Sequence, residues 1–250
     1  MKIEPNNIYL GDCLDIMPHI EDGSIDMILC DLPYGTTNCK WDVIIPFEPL
    51  WKEYKRIIKN NGAIVLTASQ PFTSLLIASN IELFKYELIW EKTIGSGQLN
   101  IKHQPLRVHE NILVFYTKIP VYNEQKTIGT PYSISRKAGY KSDMYNQQKS
   151  SYKNNEGFRH ARSVIKISNP RIKGGHPTQK PLELFEYLIK VYTNENDLVL
   201  DNCIGSGTTA VAATNLNRQF VGIESNNEFY DKAVKRIAEN QANFATIKRG

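Results

Sequence analysis

Leu198-Val199-Leu200-Asp201-Asn202-Cys203-Ile204-Gly205-Ser206-Gly207-Thr208-Thr209-Ala210 is the stretch that decides the architecture. An apolar run of strand length ends at an aspartate, a turn with two glycines follows, and a helix-forming run opens at Thr208. In such a unit the backbone amides of the turn approach a bound nucleotide closely, because glycine has no Cβ to hold the ligand away. The next strand, 220–224, ends at Glu224, whose carboxylate suits both hydroxyls of an adenosine ribose. Asp201, Cys203, Gly205, Ser206, Gly207, Thr208 and Glu224 are therefore the expected cofactor-binding residues. The turn also satisfies G-x-G-x-x-A, a nicotinamide fingerprint. Two features count against that reading: Asp201 suits a cationic amino-acid moiety, and the 43 residues after Gly207 are too few for a second mononucleotide half. No Gly-Lys follows the turn, so it is not a phosphate-binding P-loop.

Outward from this unit, strand and helix signals alternate, as in an α/β protein with a mostly parallel sheet. The run 24–30 reads as a buried strand that delivers Asp31 to its carboxyl end, where Pro33 and Gly35 stop regular structure. A helix is expected over 48–59, closed by Asn60-Asn61-Gly62 in left-handed geometry, with a strand at 63–67 and a helix from Pro71 to Ser79. Strands are expected at 86–90 and 111–117, and after a break the alternation resumes with a helix over 181–191 and another over 227–240.

The break is compositional. Residues 118–173 hold twelve Lys or Arg and three acids, a charge of +9, against 18 bases and 23 acids, −5, in the rest of the chain. A polar, basic insert over 118–175 within a single domain spanning 1–250 is the expected organisation. The four cysteines form no C-x-x-C pair, so neither a metal site nor a disulfide framework is expected. No apolar run approaches the roughly 20 residues of a membrane span, and the first residues do not resemble a secretory signal. A cytoplasmic protein with no membrane partner is the expectation.

Asp31-Leu32-Pro33-Tyr34 resembles the D-P-P-Y motif of the amino-methyltransferases of DNA, and 201–209 resembles their cofactor loop. The order of the two motifs matches the permuted, beta-class arrangement, with the target-recognition region between them. Gly11-Asp12, Trp90-Glu91-Lys92, Arg107-Val108-His109-Glu110 and His176-Pro177-Thr178-Gln179-Lys180-Pro181 extend the resemblance over most of the chain. It implies a Rossmann-like, doubly wound S-adenosylmethionine-dependent methyltransferase fold and transfer to an exocyclic amine of a DNA base. By the same resemblance an initial Asp favours adenine N6. The alternatives are cytosine N4 and a non-catalytic DNA-binding relative.

The chemistry explains the tetrapeptide. An exocyclic amine conjugated to a purine ring has a delocalised lone pair and is a poor nucleophile. If the Asp31 side chain and the Leu32 carbonyl accept its hydrogens, the nitrogen is drawn toward tetrahedral geometry and its lone pair toward the sulfonium methyl. Pro33 fixes the turn, and Tyr34 offers a stacking face to a base flipped out of the duplex. Leu32 departs from the family's first proline and costs rigidity, not the working carbonyl. By analogy Asp12 would hold the cofactor's adenine amine, Asp201 would face its methionine amine, and Asp31 is expected to border the cofactor as well as the base. Thr178 and Lys180 would close over that methionine end. Within the insert, Arg136, Lys137, Lys141, Lys149, Lys153, Arg159 and Arg162 alternate with aromatics and are the expected DNA contacts. Other expectations are a monomer or homodimer and a possible cognate restriction endonuclease.

Overall fold

A computed structural model of the chain describes residues 1–37, 39, 42–138, 149–169 and 179–247. In chain order its first elements are β1 (Asn7–Leu10), α1 (Cys13–Ile16), β2 (Ile25–Asp31), α2 (Phe47–Ile57), β3 (Ile58–Ala68) and α3 (Phe72–Ser79). There follow β4 (Phe84–Ser96), β5 (Arg107–Phe115), β6 (Thr127–Ile128), β7 (Tyr132–Arg136), β8 (Ser151–Asn155), β9 (Phe158–Arg159) and β10 (Val164–Lys166). The last are α4 (Leu182–Tyr192), β11 (Leu198–Asp201), α5 (Thr208–Asn215), β12 (Gln219–Glu224) and α6 (Asn227–Ile247).

Eight of these strands form one sheet in the order β1-β12-β11-β2-β3-β5-β4-β10. Strands β1, β12, β11, β2 and β3 pair in parallel, and only β5 runs against its neighbours. This is the expected doubly wound, mostly parallel Rossmann-like α/β fold. Both faces of the sheet are covered, which is why β2 reads as an unbroken apolar run. Met27 and Leu29 pack with α4 and α5, whereas Ile28 and Cys30 pack with α1, α2 and α3. The fully buried Tyr54, Phe72, Phe115 and Phe220 fill the two layers; each such ring contributes about 2–3 kcal/mol.

Two compact units are present: Met1–Asn123 with the chain from Ser163 onward, and Glu124–Arg162. Among its described residues the second unit holds two small antiparallel ladders, β6 with β9 and β7 with β8. Ser163 and β10 belong to the first unit, where β10 adds a parallel strand beside β4. No helix among the described residues is long and apolar enough to cross a membrane.

One local expectation is corrected. Helix α2 ends at Ile57, and Asn60-Asn61-Gly62 lies inside β3 instead of closing the helix. Gly62 is required by close approach, not by left-handed backbone. A Cβ there would stand 2.8 Å from the Asp26 carbonyl oxygen and 2.8 Å from the Ile58 side chain, where β3 irregularly joins β2. Gly62→Ala is expected to destabilise the protein by about 1–3 kcal/mol, seen as a lower urea midpoint. An unchanged midpoint would show that the β2–β3 junction yields freely.

Candidate active site

The parallel pairing of β11 with β2, Val199 beside Met27 and Leu200 beside Ile28, sets Asp201 and Asp31 at adjacent strand ends. From β11 the chain leaves through α5 to β12 on one side, and from β2 through α2 to β3 on the other. Their carboxyl ends therefore flank the topological switch point, where open α/β sheets form their ligand crevice.

On the β2 side, Asp31 is the centre of a hydrogen-bonded cluster. Tyr34 donates to its Oδ1 at 2.7 Å, and Thr67 also donates to that oxygen. The Lys180 ammonium lies 2.8 Å from the carboxylate. Three donors on a group with about four lone-pair directions leave one direction open. Lys180 is also 3.2 Å from Glu110, which accepts from Lys92 at 3.0 Å. Two carboxylates and two ammoniums thus form a compact neutral array. Removing Lys180 would leave the Asp31 carboxylate without its cationic partner.

The array fixes protonation states. Burial opposes the Lys180 charge, but Asp31, Tyr34 and Glu110 outweigh it and hold the ammonium well above lysine's ordinary pKa. Burial likewise opposes the Glu110 carboxylate, and Lys180 and Lys92 overcome it, keeping the group below the usual range. Burial, then the Asp31 charge, pushes the Tyr34 hydroxyl well up, so it remains a donor. The Tyr34 ring stacks on Phe72 with centroids 5.1 Å apart. Leu32, in the family's proline position, puts its side chain into the core below. Past the tetrapeptide, Asp42 accepts from the amides of Gly35, Thr36 and Thr37 at 2.8, 2.9 and 2.7 Å and pins the turn.

On the β11 side, Gly205 and Gly207 have φ of +53° and +82°, left-handed backbone that suits glycine. The Glu224 carboxylate accepts from the amides of Gly205 at 2.8 Å and Asn226 at 2.9 Å, one on each oxygen. The Ser225 amide also favours the carboxylate, so that of about four lone-pair directions one stays open. The Gly11 amide donates to the Glu224 carbonyl at 2.9 Å, bringing the Asp12 turn beside it. Asp12 caps α1 through the Leu14 amide at 2.8 Å. Ser206 donates to Gln179 at 3.0 Å, and Arg236 braces Ser206 and Thr208.

Of the expected residues, the structure brings Asp31, Tyr34 and Lys180 together, and gathers Asp12, Gly205 and Glu224 at the neighbouring strand ends. The Lys180 ammonium, expected at the methionine end of the cofactor, sits on Asp31. Asp201 points inward: one oxygen accepts from the Cys203 amide at 3.0 Å and the other from the Thr209 hydroxyl. Cys203 lies in thiol contact with Cys13 and Cys30, and burial pushes the Cys30 thiol up to about 12. Thr178 and Lys141 lie outside the described residues, as does the Arg136 side chain. Lys137, Lys149, Lys153 and Arg162 are exposed. Arg159 is bound within its own unit, donating to Asn155 at 2.8 Å and to the Thr130 carbonyl, 4.4 Å above the Tyr132 ring.

Sequence reasoning gave no catalytic role to Thr67, Lys92, Glu110 or Asp42. Lys92 and Glu110 did stand inside the quoted motifs, and two opposite charges on neighbouring strands were the available signal.

The parallel sheet, the glycine turn and the polar tetrapeptide at the switch point together define a Rossmann-like methyltransferase. A family model described as DNA methylase, covering N6 and N4 enzymes, matches residues 25–235. The type II methyltransferase M1.MboII of Moraxella bovis is 28% identical over 92% of this chain and 96% of its own length. M.HpaI of Haemophilus parainfluenzae is 29% identical over 96% of this chain and 76% of its own. The crystal structure of the M1.HpyAVI–SAM complex shares 28% identity and a TM-score of 0.63 over 92% of this chain and 98% of that one. The cytosine-N4-specific PvuII DNA methyltransferase, at 14% identity and a TM-score of 0.65 over 96% of this chain and 92% of that one, shares the fold. The chain belongs to the N6/N4 DNA methylase family and is a DNA methyltransferase.

Burial raises the Asp201 carboxyl to about 7, against the hydrogen bonds from Thr209 and the Cys203 amide. Its folded pKa therefore exceeds the unfolded value of about 3.9. The native state holds the proton longer, so this group's stability contribution is full below about pH 4 and is lost as pH rises through about 7. Asp201→Asn keeps an acceptor for the Cys203 amide and removes the titration. Urea unfolding at pH 5 and pH 8 is expected to show a smaller drop in stability for the variant than for the parent. An identical drop in both would mean that Asp201 titrates as an ordinary carboxylate.

Proposed function

We propose that the protein transfers a methyl group from S-adenosylmethionine to the exocyclic N6 of adenine at specific sites in DNA. The observation that carries this reading is the Asp31 carboxylate at the switch point, held by Tyr34, Thr67 and Lys180 with one acceptor direction free. The amine of a flipped base donates one hydrogen to Asp31 and the other to the Leu32 carbonyl, which turns its lone pair away from the ring. Tyr34 supplies the stacking face, kept flat by Phe72 behind it. When bound, S-adenosylmethionine would supply the electrophilic methyl and leave as the neutral thioether, and the methylated amine would release one proton toward the adjacent Asp31 carboxylate. The backbone of Gly205, Ser206, Gly207 and Thr208 would let it approach closely, with Cys203 in the same loop. Glu224 would hold its ribose, and Asp12 would be the partner for its adenine.

In this reading Asp201 shapes the loop from beneath, and Lys180 orients Asp31 at the methionine end of the site. Adenine is favoured over cytosine by the initial Asp of the tetrapeptide. The exposed Lys137, Lys149, Lys153 and Arg162 of the second unit serve as phosphate contacts. A cognate restriction endonuclease is the natural partner, since the curated relatives are type II methyltransferases.

Incubation with S-adenosylmethionine and unmethylated bacteriophage DNA, digestion to nucleosides and mass spectrometry tests the reading. N6-methyladenine is expected. N4-methylcytosine would move the target base, and no methylated nucleoside would leave a non-catalytic relative. Asp31→Ala is expected to lower turnover by at least about a hundredfold, the order of a lost transition-state acceptor, while calorimetry still detects cofactor binding. Retained turnover would remove Asp31 from the chemistry.

A further inference from the structure

Beyond the last paired residues of β4 and β5 the hairpin 96–107 projects an apolar surface into solvent. Leu99 is 98% exposed and Ile101 61% exposed, and Ile94, Leu106 and Val108 are exposed beside them. Exposed apolar clusters on a soluble domain mark contact sites more often than chance placement. This one is held in shape. Gly97 takes a left-handed φ of +91° to open the turn Gln98–Asn100. Gln98 donates to the Gly95 carbonyl at 2.7 Å, and the His103 amide donates to Asn100 at 2.9 Å. A Cβ on Gly95 would stand 3.1 Å from Leu106 and 3.2 Å from Val108, so its absence lets that apolar pair lie across the strand.

The hairpin is anchored to the site. Arg107 donates to Ser69, two residues past Thr67, at 3.0 Å, and Asn169 bonds both the amide and the carbonyl of Ile94 at 2.9 Å. Val108 shares its face of β5 with Glu110, which pairs with Lys180 and through it reaches Asp31. At about 3.3 Å per residue, Val108 stands roughly 7 Å outward of Glu110. The surroundings suit a polyanion: residues 92–109 contain no Asp or Glu, and Lys102, His103 and His109 are exposed.

Resting on the base-flipping part of the proposed function, we infer that this hairpin enters the duplex at the target step. Leu99 occupies the space the flipped base leaves, and Lys102 and His103 meet the flanking phosphates. A vacated position leaves the neighbouring pairs unstacked, and an apolar side chain restores part of the lost contact. An apolar tip within a basic rim, rooted beside Asp31, fits that partner better than a second copy of this positively charged surface.

The test uses the full chain and two duplexes carrying the sequence it methylates, one fully paired and one with the target adenine opposite a mismatched cytosine. Leu99→Ala, at a fully exposed position, leaves the fold intact. On the paired duplex kcat/KM is expected to fall about tenfold or more, and on the mismatched duplex about threefold or less, because opening is already cheap there. No loss on the paired duplex, or equal losses on both, overturns the inference while wild-type methylation still upholds the proposed function. A wild-type dimer that becomes monomeric on Leu99→Ala also overturns it, since the hairpin would then be a contact between copies. If the wild type methylates neither duplex, the proposed function falls and this inference with it.

Discussion

The pairing of β11 with β2 is the constraint on which the site depends. These strands are separated by more than half the chain, yet two consecutive residue pairs in parallel register place the cofactor loop and the tetrapeptide side by side. A one-residue slip would reverse which side chains face each helical layer. Because β2 is buried on both faces, with Met27 and Leu29 toward one layer and Ile28 and Cys30 toward the other, such a slip would have to repack both cores. The register is consequently as firm as the core, and so is the spacing of Asp31 from the glycine turn.

A second consequence of the sheet is electrostatic. The antiparallel pairing of β4 and β5 puts Glu110 opposite Trp90, within reach of Lys92 two residues on. Lys180 enters just ahead of α4 and joins Glu110 to Asp31. Packing four charges together, the two lysines buried, is tolerable because they alternate in sign and each has a partner. The arrangement holds the Asp31 carboxylate between fixed donors and leaves the array without net charge. Trp90, by contrast, is a core residue whose indole N–H bonds the Ile167 carbonyl at 2.9 Å.

What was legible in the sequence was local. The strand that ends at Asp201 and the helix that opens at Thr208 follow from a short apolar run and a glycine turn, and the structure has both. Asn60-Asn61-Gly62 looked like a helix stop, but the need for Gly62 comes from Asp26 on a neighbouring strand, which no local window contains. β10 was missed because three residues, one of them buried, carry too weak a pattern. The four-charge array was hidden for the same reason as Gly62. Its members are spread over residues 31–180 and meet only through strand order. Composition set the basic region apart, yet it could not reveal that Arg159 is occupied within its own unit.

The strand order also bears on synthesis. The edge of β2 that receives β11 belongs to an early part of the chain, and its partner is made about 170 residues later. At about 5–20 residues per second, that edge waits on the order of ten to thirty seconds on the ribosome. During this interval β2 and β3 can pair, but an apolar strand edge and one uncovered face of the nascent sheet remain open until β11 and α5 emerge. Such a chain is a natural client for ribosome-associated chaperones, and slow translation between β5 and β11 would lengthen its exposure to aggregation.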